Sequence, residues 1–113
     1  MDNKHFASLV VHHHISHSKP VRHGENKNPW PPVITNLLVH NNIPDLYSHQ
    51  ALATDIARSG QNLIATTSTS SGKSLIYLLP ILEGFFKNRD SRSLCLFPLK
   101  ALARDQLESV RSL

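Results

Sequence analysis

Apolar positions along this chain gather into short runs and helical stripes separated by turn residues, and their spacing predicts an order of elements. Residues 62–66 (N-L-I-A-T, with Leu63-Ile64-Ala65 as a buried centre) and 93–97 (S-L-C-L-F) are strand-length and bounded by turn signals. Helical spacing predicts helices over 33–40, 49–58, 73–87 and 101–113. The first follows Trp30-Pro31-Pro32, where proline is tolerated in the opening turn, and ends at Asn41-Asn42. Ser48 reads as the N-cap of the second, with Ala51, Leu52, Ala53 and Ile56 as its apolar face and Gly60 as its stop. Pro80 predicts a kink or interruption about two turns into the third. The last carries Leu102, Leu107, Val110 and Leu113 on or near one face. Strands alternating with helices imply an α/β fold, a short parallel sheet with right-handed crossovers flanked by helices.

Ahead of these elements the composition shifts. Five histidines fall within the first seventeen positions, and Pro20, Pro29, Pro31 and Pro32 interrupt any helix. Residues 1–32 therefore read as an irregular His/Pro-rich lead-in and 33–113 as the folded domain, with one strand expected over 7–15. The cluster His12, His13, His14 and His17 invites a metal reading, since imidazole is the commonest zinc ligand. Neighbouring side chains of a strand point to opposite faces, so His12 and His14 could share an ion that His13 could not reach. No cysteine or carboxylate nearby completes a tetrahedral set, and a solvated strand is the simpler reading.

A length of 113 residues bounds the chain to one domain. Twelve Lys and Arg against eight Asp and Glu leave a formal charge of +4, compatible with a polyanionic partner and equally with a basic soluble surface. The single cysteine, Cys95, excludes an internal disulfide; it reads as a buried strand residue in a reducing compartment. No run approaches the ~18–20 apolar residues of a membrane span, and no signal-type leader is evident, so a cytoplasmic chain without a membrane partner is expected.

The chemistry concentrates in Thr67, Ser68, Thr69, Ser70, Ser71, Gly72, Lys73 and Ser74, a polar loop between a predicted strand and a predicted helix. That frame holds phosphate. Backbone N–H groups and the positive end of the helix face the anion, Lys73 adds a full charge for the β- and γ-phosphates, and Ser74 has the hydroxyl that ligates Mg²⁺. The pattern G-x-x-x-x-G-K-[ST] expects glycine where this chain has Thr67; a side chain forced into the same backbone costs roughly 1 kcal/mol. The competing reading is a serine/threonine turn that merely caps a helix.

Three stretches in one order go further: Leu46-Tyr47-Ser48-His49-Gln50, then 66–74 (T-T-S-T-S-S-G-K-S), then 96–106 (L-F-P-L-K-A-L-A-R-D-Q). Together they resemble the Q motif, motif I and motif Ia of superfamily 2 DEAD/DEAH-box helicases, and among these the helicases related to mitomycin repair factor A. The resemblance implies an incomplete RecA-like P-loop domain that binds ATP and Mg²⁺. By position it implies that Gln50 reads the adenine edge through its amide, that residues 67–74 hold the phosphates, and that Pro98, Lys100 and Arg104 lie along a nucleic-acid backbone, DNA rather than RNA. For Gln50, Lys100 and Arg104 taken singly, a solvated surface residue is the alternative. The family's Walker B Asp-Glu pair does not occur in the 113 residues, so an N-terminal helicase fragment unable to hydrolyse ATP alone is expected, with the remaining domains on a separate chain as a candidate partner. A small P-loop kinase or a non-catalytic nucleotide-binding remnant are the readings from other classes.

Overall fold

The computed structural model describes residues 13–15, 22–67 and 72–113. Its elements run β1 (His13–Ile15), α1 (Pro32–His40), α2 (Ser48–Arg58), β2 (Ile64–Thr66), α3 (Lys73–Lys87) and α4 (Lys100–Arg111). Of the strand expected over 7–15, residues 7–12 lie outside the described residues, as do His12 and His17 of the metal reading. Among the described residues no group of His, Cys, Asp and Glu is placed to hold a metal ion.

Local chemistry explains the helix boundaries. Pro32 occupies the first helical position of α1, where its missing N–H is no loss. The helix ends with Asn42 in the left-handed region (φ 59°), the Asn42 N–H donating to Val39 C=O and the Ile43 N–H to Leu38 C=O at 2.8 Å. This pair of bonds satisfies the last carbonyls and carries Ile43 back onto the core. α2 closes the same way, through Gly60 (φ 81°) and a bond from the Gly60 N–H to Ala57 C=O, as the glycine predicted. Its start differs by one residue from expectation: Tyr47 is the N-cap and Ser48 is already helical. Gln50 stands three residues after Tyr47 and reaches back, its Oε1 accepting the Tyr47 N–H at 2.9 Å, the bond that an N3 glutamine makes to the residue at the N-cap.

Three helices build the core. Ile34 and Leu38 of α1, Leu46, Ala51 of α2 and Leu79 of α3 form one buried cluster, covered by Trp30, Ile43, Leu75 and Leu82. Burying each of the larger side chains contributes about 1.5–3 kcal/mol. The inward face of α2 keeps Ala51 and Ala53 of the predicted apolar face but not Leu52. Leu52 points outward, while Gln50 and Thr54 are buried beside Ala51 and Ala53. Thr54 can be buried because its hydroxyl reaches Gln50 C=O at 2.7 Å and also accepts from Asn26. α3 runs unbroken from Lys73 to Lys87 with Pro80 inside it, so the proline does not interrupt the helix.

The lead-in residues 22–30 are fastened to α2. Gly24 N–H donates to Leu46 C=O and Ser48 N–H to Arg22 C=O, an antiparallel bridge centred on His23 and Tyr47. A Cβ on Gly24 would lie 2.8 Å from Ser48 Cα, so only glycine permits this approach. Asn26 Nδ2 donates to Ala51 C=O, Thr54 Oγ1 and Asp55 Oδ1, and the Trp30 indole N–H donates to Asn26 Oδ1 at 2.8 Å. Arg58 completes the clamp: it lies over the Trp30 ring at 4.0 Å, donates to Asn28 C=O, and makes a two-pronged pair with Glu83 of α3 at 2.9 and 2.8 Å.

The sheet differs most from expectation. β1 pairs with β2 in parallel, His13 opposite Ile64 and Ile15 opposite Thr66. Residues 93–97, predicted as the second strand, are irregular, with Leu94 and Leu96 at 84% and 83% exposure. Cys95, expected to be buried there, is exposed. A strand exists only where a neighbour takes its ladder hydrogen bonds, and composition alone does not provide one. Ile64, placed in the buried centre of its strand by the sequence, is likewise half open. Among the described residues no helix is long and apolar enough to cross a membrane.

Candidate nucleotide site

The site begins where β2 delivers the chain to the loop and α3 receives it. Gly72 is the N-cap of α3 in the left-handed conformation (φ 70°), and it has no side chain to spend on the first N–H groups of the helix. Those N–H groups, with the positive end of a fifteen-residue helix behind them, suit an anion. Lys73 and Ser74 follow in the first turn, both half-buried. Lys73 Nζ donates to Thr67 C=O at 2.8 Å, which ties the start of α3 to the residue that follows β2. Ser68, Thr69, Ser70 and Ser71 lie outside the described residues.

Gln50 arrives from α2. Its Nε2 donates to Gly72 C=O at 2.9 Å, and the same carbonyl accepts the Leu75 N–H at 3.2 Å. Gln50, Gly72, Lys73 and Thr67 are thus brought together at one edge of the fold. The close packing of α2 against α3 makes this possible, because both helices present their N-terminal turns to the same place. Gln50 is 2% exposed, and beyond its bonds to the Tyr47 N–H and Gly72 C=O its amide keeps one lone pair and one N–H.

Beside the loop lies an open hollow of about 310 Å³, walled by His23, Asn42, Ile43, Tyr47, Gln50 and Gly72. Tyr47 stands between two imidazoles, His23 at 5.5 Å and His49 at 5.7 Å between ring centroids. Apolar and aromatic walls with a few polar groups suit a flat heterocycle. Of these residues sequence reasoning singled out only Gln50 and Gly72. Tyr47 sits within the quoted Q-motif stretch and was legible as a neighbour; His23 carries no local signal, since its place depends on the bridge to Tyr47.

Pro98, Lys100 and Arg104 are exposed at and beyond the bend that opens α4, with Lys100 and Arg104 one turn apart on the same helix. They do not join the Gln50–Lys73 cluster. A side-chain bond links the two helices: Tyr77, one turn into α3, donates its hydroxyl to Gln106 Oε1 of α4 at 2.6 Å. Among the described residues one titratable group departs clearly from its ordinary behaviour, Glu83. Burial, the largest influence, works to raise its pKa, yet the Arg58 guanidinium and the Lys87 ammonium together hold it below the usual glutamate range.

The chain is 44% identical over 78 residues to the ATP-dependent helicase hrq1 of Schizosaccharomyces pombe, covering 69% of this chain and 7% of that protein. It is 52% identical over 62 residues to HRQ1 of Saccharomyces cerevisiae, covering 55% and 6%, and 44% identical over 64 residues to the ATP-dependent helicase YprA of Bacillus subtilis, covering 57% and 8%. Thus it spans less than a tenth of the length of these relatives. The crystal structure of the DUF1998 helicase MrfA bound to DNA and AMPPNP superposes with a TM-score of 0.77 at 32% identity, over 83% of this chain and 13% of that one. The expected likeness to helicases of the mitomycin repair factor A kind is therefore borne out. Residues 47–113 match the DEAD/DEAH box helicase family, and the chain belongs to it.

Proposed function

We propose that these residues form the ATP-binding edge and part of the nucleic-acid track of an ATP-dependent DNA helicase, built on an incomplete RecA-like domain. The observation that carries the reading is the junction at Gly72: a left-handed glycine opening α3, Lys73 bonded to the Thr67 carbonyl, and Gln50 bonded to the glycine carbonyl, all beside an aromatic-walled hollow. This arrangement fits a nucleoside triphosphate. Residues 67–74 hold the phosphates, Lys73 neutralises them once released from Thr67, and Ser74 offers its hydroxyl to Mg²⁺. Mg²⁺ held at Ser74 would supply positive charge that offsets the charge of the phosphates. The hollow takes the base. Pro98, Lys100 and Arg104 contact a DNA backbone without regard to sequence. DNA is favoured over RNA by the likeness to MrfA, whose crystal structure contains DNA.

The 113 residues contain no Asp-Glu pair to position Mg²⁺ and an attacking water, so binding without turnover is expected from this chain by itself. Turnover and strand movement belong to the assembly with the remaining helicase domains, in the cytoplasm. Titration of the chain with Mg-ATP tests the reading: wild type binds, and Lys73→Ala weakens binding at least tenfold. No saturable binding by the wild type would falsify it. For the DNA track, Lys100→Ala lowers the salt slope of duplex binding by about 1.

A further inference from the structure

The whole formal charge of the chain, +4, lies in one stretch: residues 85–104 hold Lys87, Arg89, Arg92, Lys100 and Arg104 against the single acid Asp90, while the basic and acidic residues elsewhere cancel. At its start stands a pair of rings. Phe85 and Phe86, in the last turn of α3, are 39% and 37% exposed, with ring centroids 6.0 Å apart. The Arg89 guanidinium lies over both, at 4.9 Å from the Phe85 centroid and 5.5 Å from that of Phe86. A tight turn carries it there, the Ser91 N–H donating to Asn88 C=O and the Asp90 N–H to Asn88 Oδ1, both at 3.0 Å. Arg58 over Trp30 is the same kind of contact with its donors already engaged, by Glu83 and by the carbonyls of Asn28 and Pro29. Arg89 differs: among the described residues no carboxylate or carbonyl takes its N–H groups.

From this arrangement we infer that Phe85, Phe86 and Arg89 form a stacking platform for the unpaired bases of a single-stranded nucleic acid, with Lys87 and Arg92 supplying charge for its phosphates. Exposed rings alone would suit any apolar partner, and exposed cations alone any polyanion. Together they select a ligand that carries flat bases and phosphates at once, because a base has a face to lay against a phenyl ring or a guanidinium and an acidic peptide has none. Paired bases keep their faces inside the duplex, so a single strand is preferred. Stacking of this kind is tolerant of base identity. The platform lies about 20 Å along α3 from Gly72, at the other end of the helix, and does not rest on the nucleotide reading proposed above.

Anisotropy titration of a labelled oligothymidylate of about fifteen nucleotides with the full 113-residue chain, at several salt concentrations, tests this. Wild type should bind the single strand more tightly than a duplex of equal length. Arg89→Lys keeps the charge and loses the flat guanidinium, so affinity should fall about two- to fivefold with the salt slope unchanged. Replacing both rings by leucine, which keeps most of their apolar bulk, should weaken binding at least fivefold. Arg92→Ala should instead lower the salt slope by about 0.7. Photocrosslinking of wild type to an oligonucleotide carrying 5-iodouracil should mark Phe85 or Phe86, and it needs no variant, so it decides the matter even where a substitution prevents folding. Three results overturn the inference: crosslinks that fall only on other residues, full affinity in Arg89→Lys, or polyglutamate displacing the strand as well as unlabelled oligothymidylate does. The last would make the patch a site for acidic protein segments.

Discussion

Residues 30–87 and residues 91–113 both carry apolar positions at the spacing of regular structure, yet their side chains meet opposite surroundings. In the first region Ile34, Leu38, Leu46, Ala51 and Leu79 close on one another. In the second, α4 buries no residue, and Leu94, Leu96, Leu99, Leu102 and Leu107 are exposed. The intrinsic helix signal is no weaker in α4 than in α1. The difference lies in what each helix meets: α2 and α3 pack face to face and are tied through polar clamps, whereas α4 is held to α3 by the Tyr77–Gln106 bond. Amphipathic pattern is thus enough to form a helix and says little about how firmly it is held.

That contrast can be broken at several points. The largest effect is expected from Leu79→Ala, which empties a fully buried position and should cost about 3 kcal/mol in a denaturant melt. The matching change Leu96→Ala in the second region should stay within about 0.5 kcal/mol. Equal losses at the two positions would show that residues 93–97 are packed in solution. Next in size is Arg58→Ala, which strands Glu83 and releases the carbonyls of 28 and 29; about 2–3 kcal/mol is expected, below the value for a fully buried pair because Arg58 keeps some exposure.

The same pair predicts how stability responds to acid. Glu83 is held below its ordinary pKa in the folded chain, so the unfolded chain binds the proton more readily. Its contribution is complete above the ordinary glutamate range and disappears as pH falls through the lowered folded value. Between about pH 6 and about pH 3 the melting temperature of Glu83→Gln should therefore fall less than that of wild type, and a parallel fall in both would remove Glu83 from the account. A modest effect is expected from Tyr77→Phe, about 0.5–1 kcal/mol, seen as faster amide exchange confined to α4. Unchanged exchange there would mean that other contacts hold the helix.

Much of the site could be read in advance because its signals are local. Gly72, Lys73 and Ser74 follow one another in the chain, and Gln50 sits in a recognisable stretch with Tyr47. Helix ends at Asn41-Asn42 and Gly60 were legible for the same reason: a left-handed residue after a helix is a property of a few neighbouring peptides. His23, Asn26 and Glu83 were not legible. Each acts on a partner more than twenty positions away, and no spacing rule connects them.

What the sequence determined by itself is the order of helices, the membership in a helicase family and the place of the loop that ends in Gly72-Lys73-Ser74, since all of these rest on neighbouring residues and on motifs quoted in order. Tertiary structure decided the rest: that β2 pairs with β1 and not with 93–97, that Leu52 faces out while Gln50 and Thr54 are buried, and that the Gln50 amide donates to Gly72 C=O. Strand pairing and buried hydrogen bonds depend on which distant groups come within reach, and a single residue's chemistry names a donor or an acceptor without naming its partner.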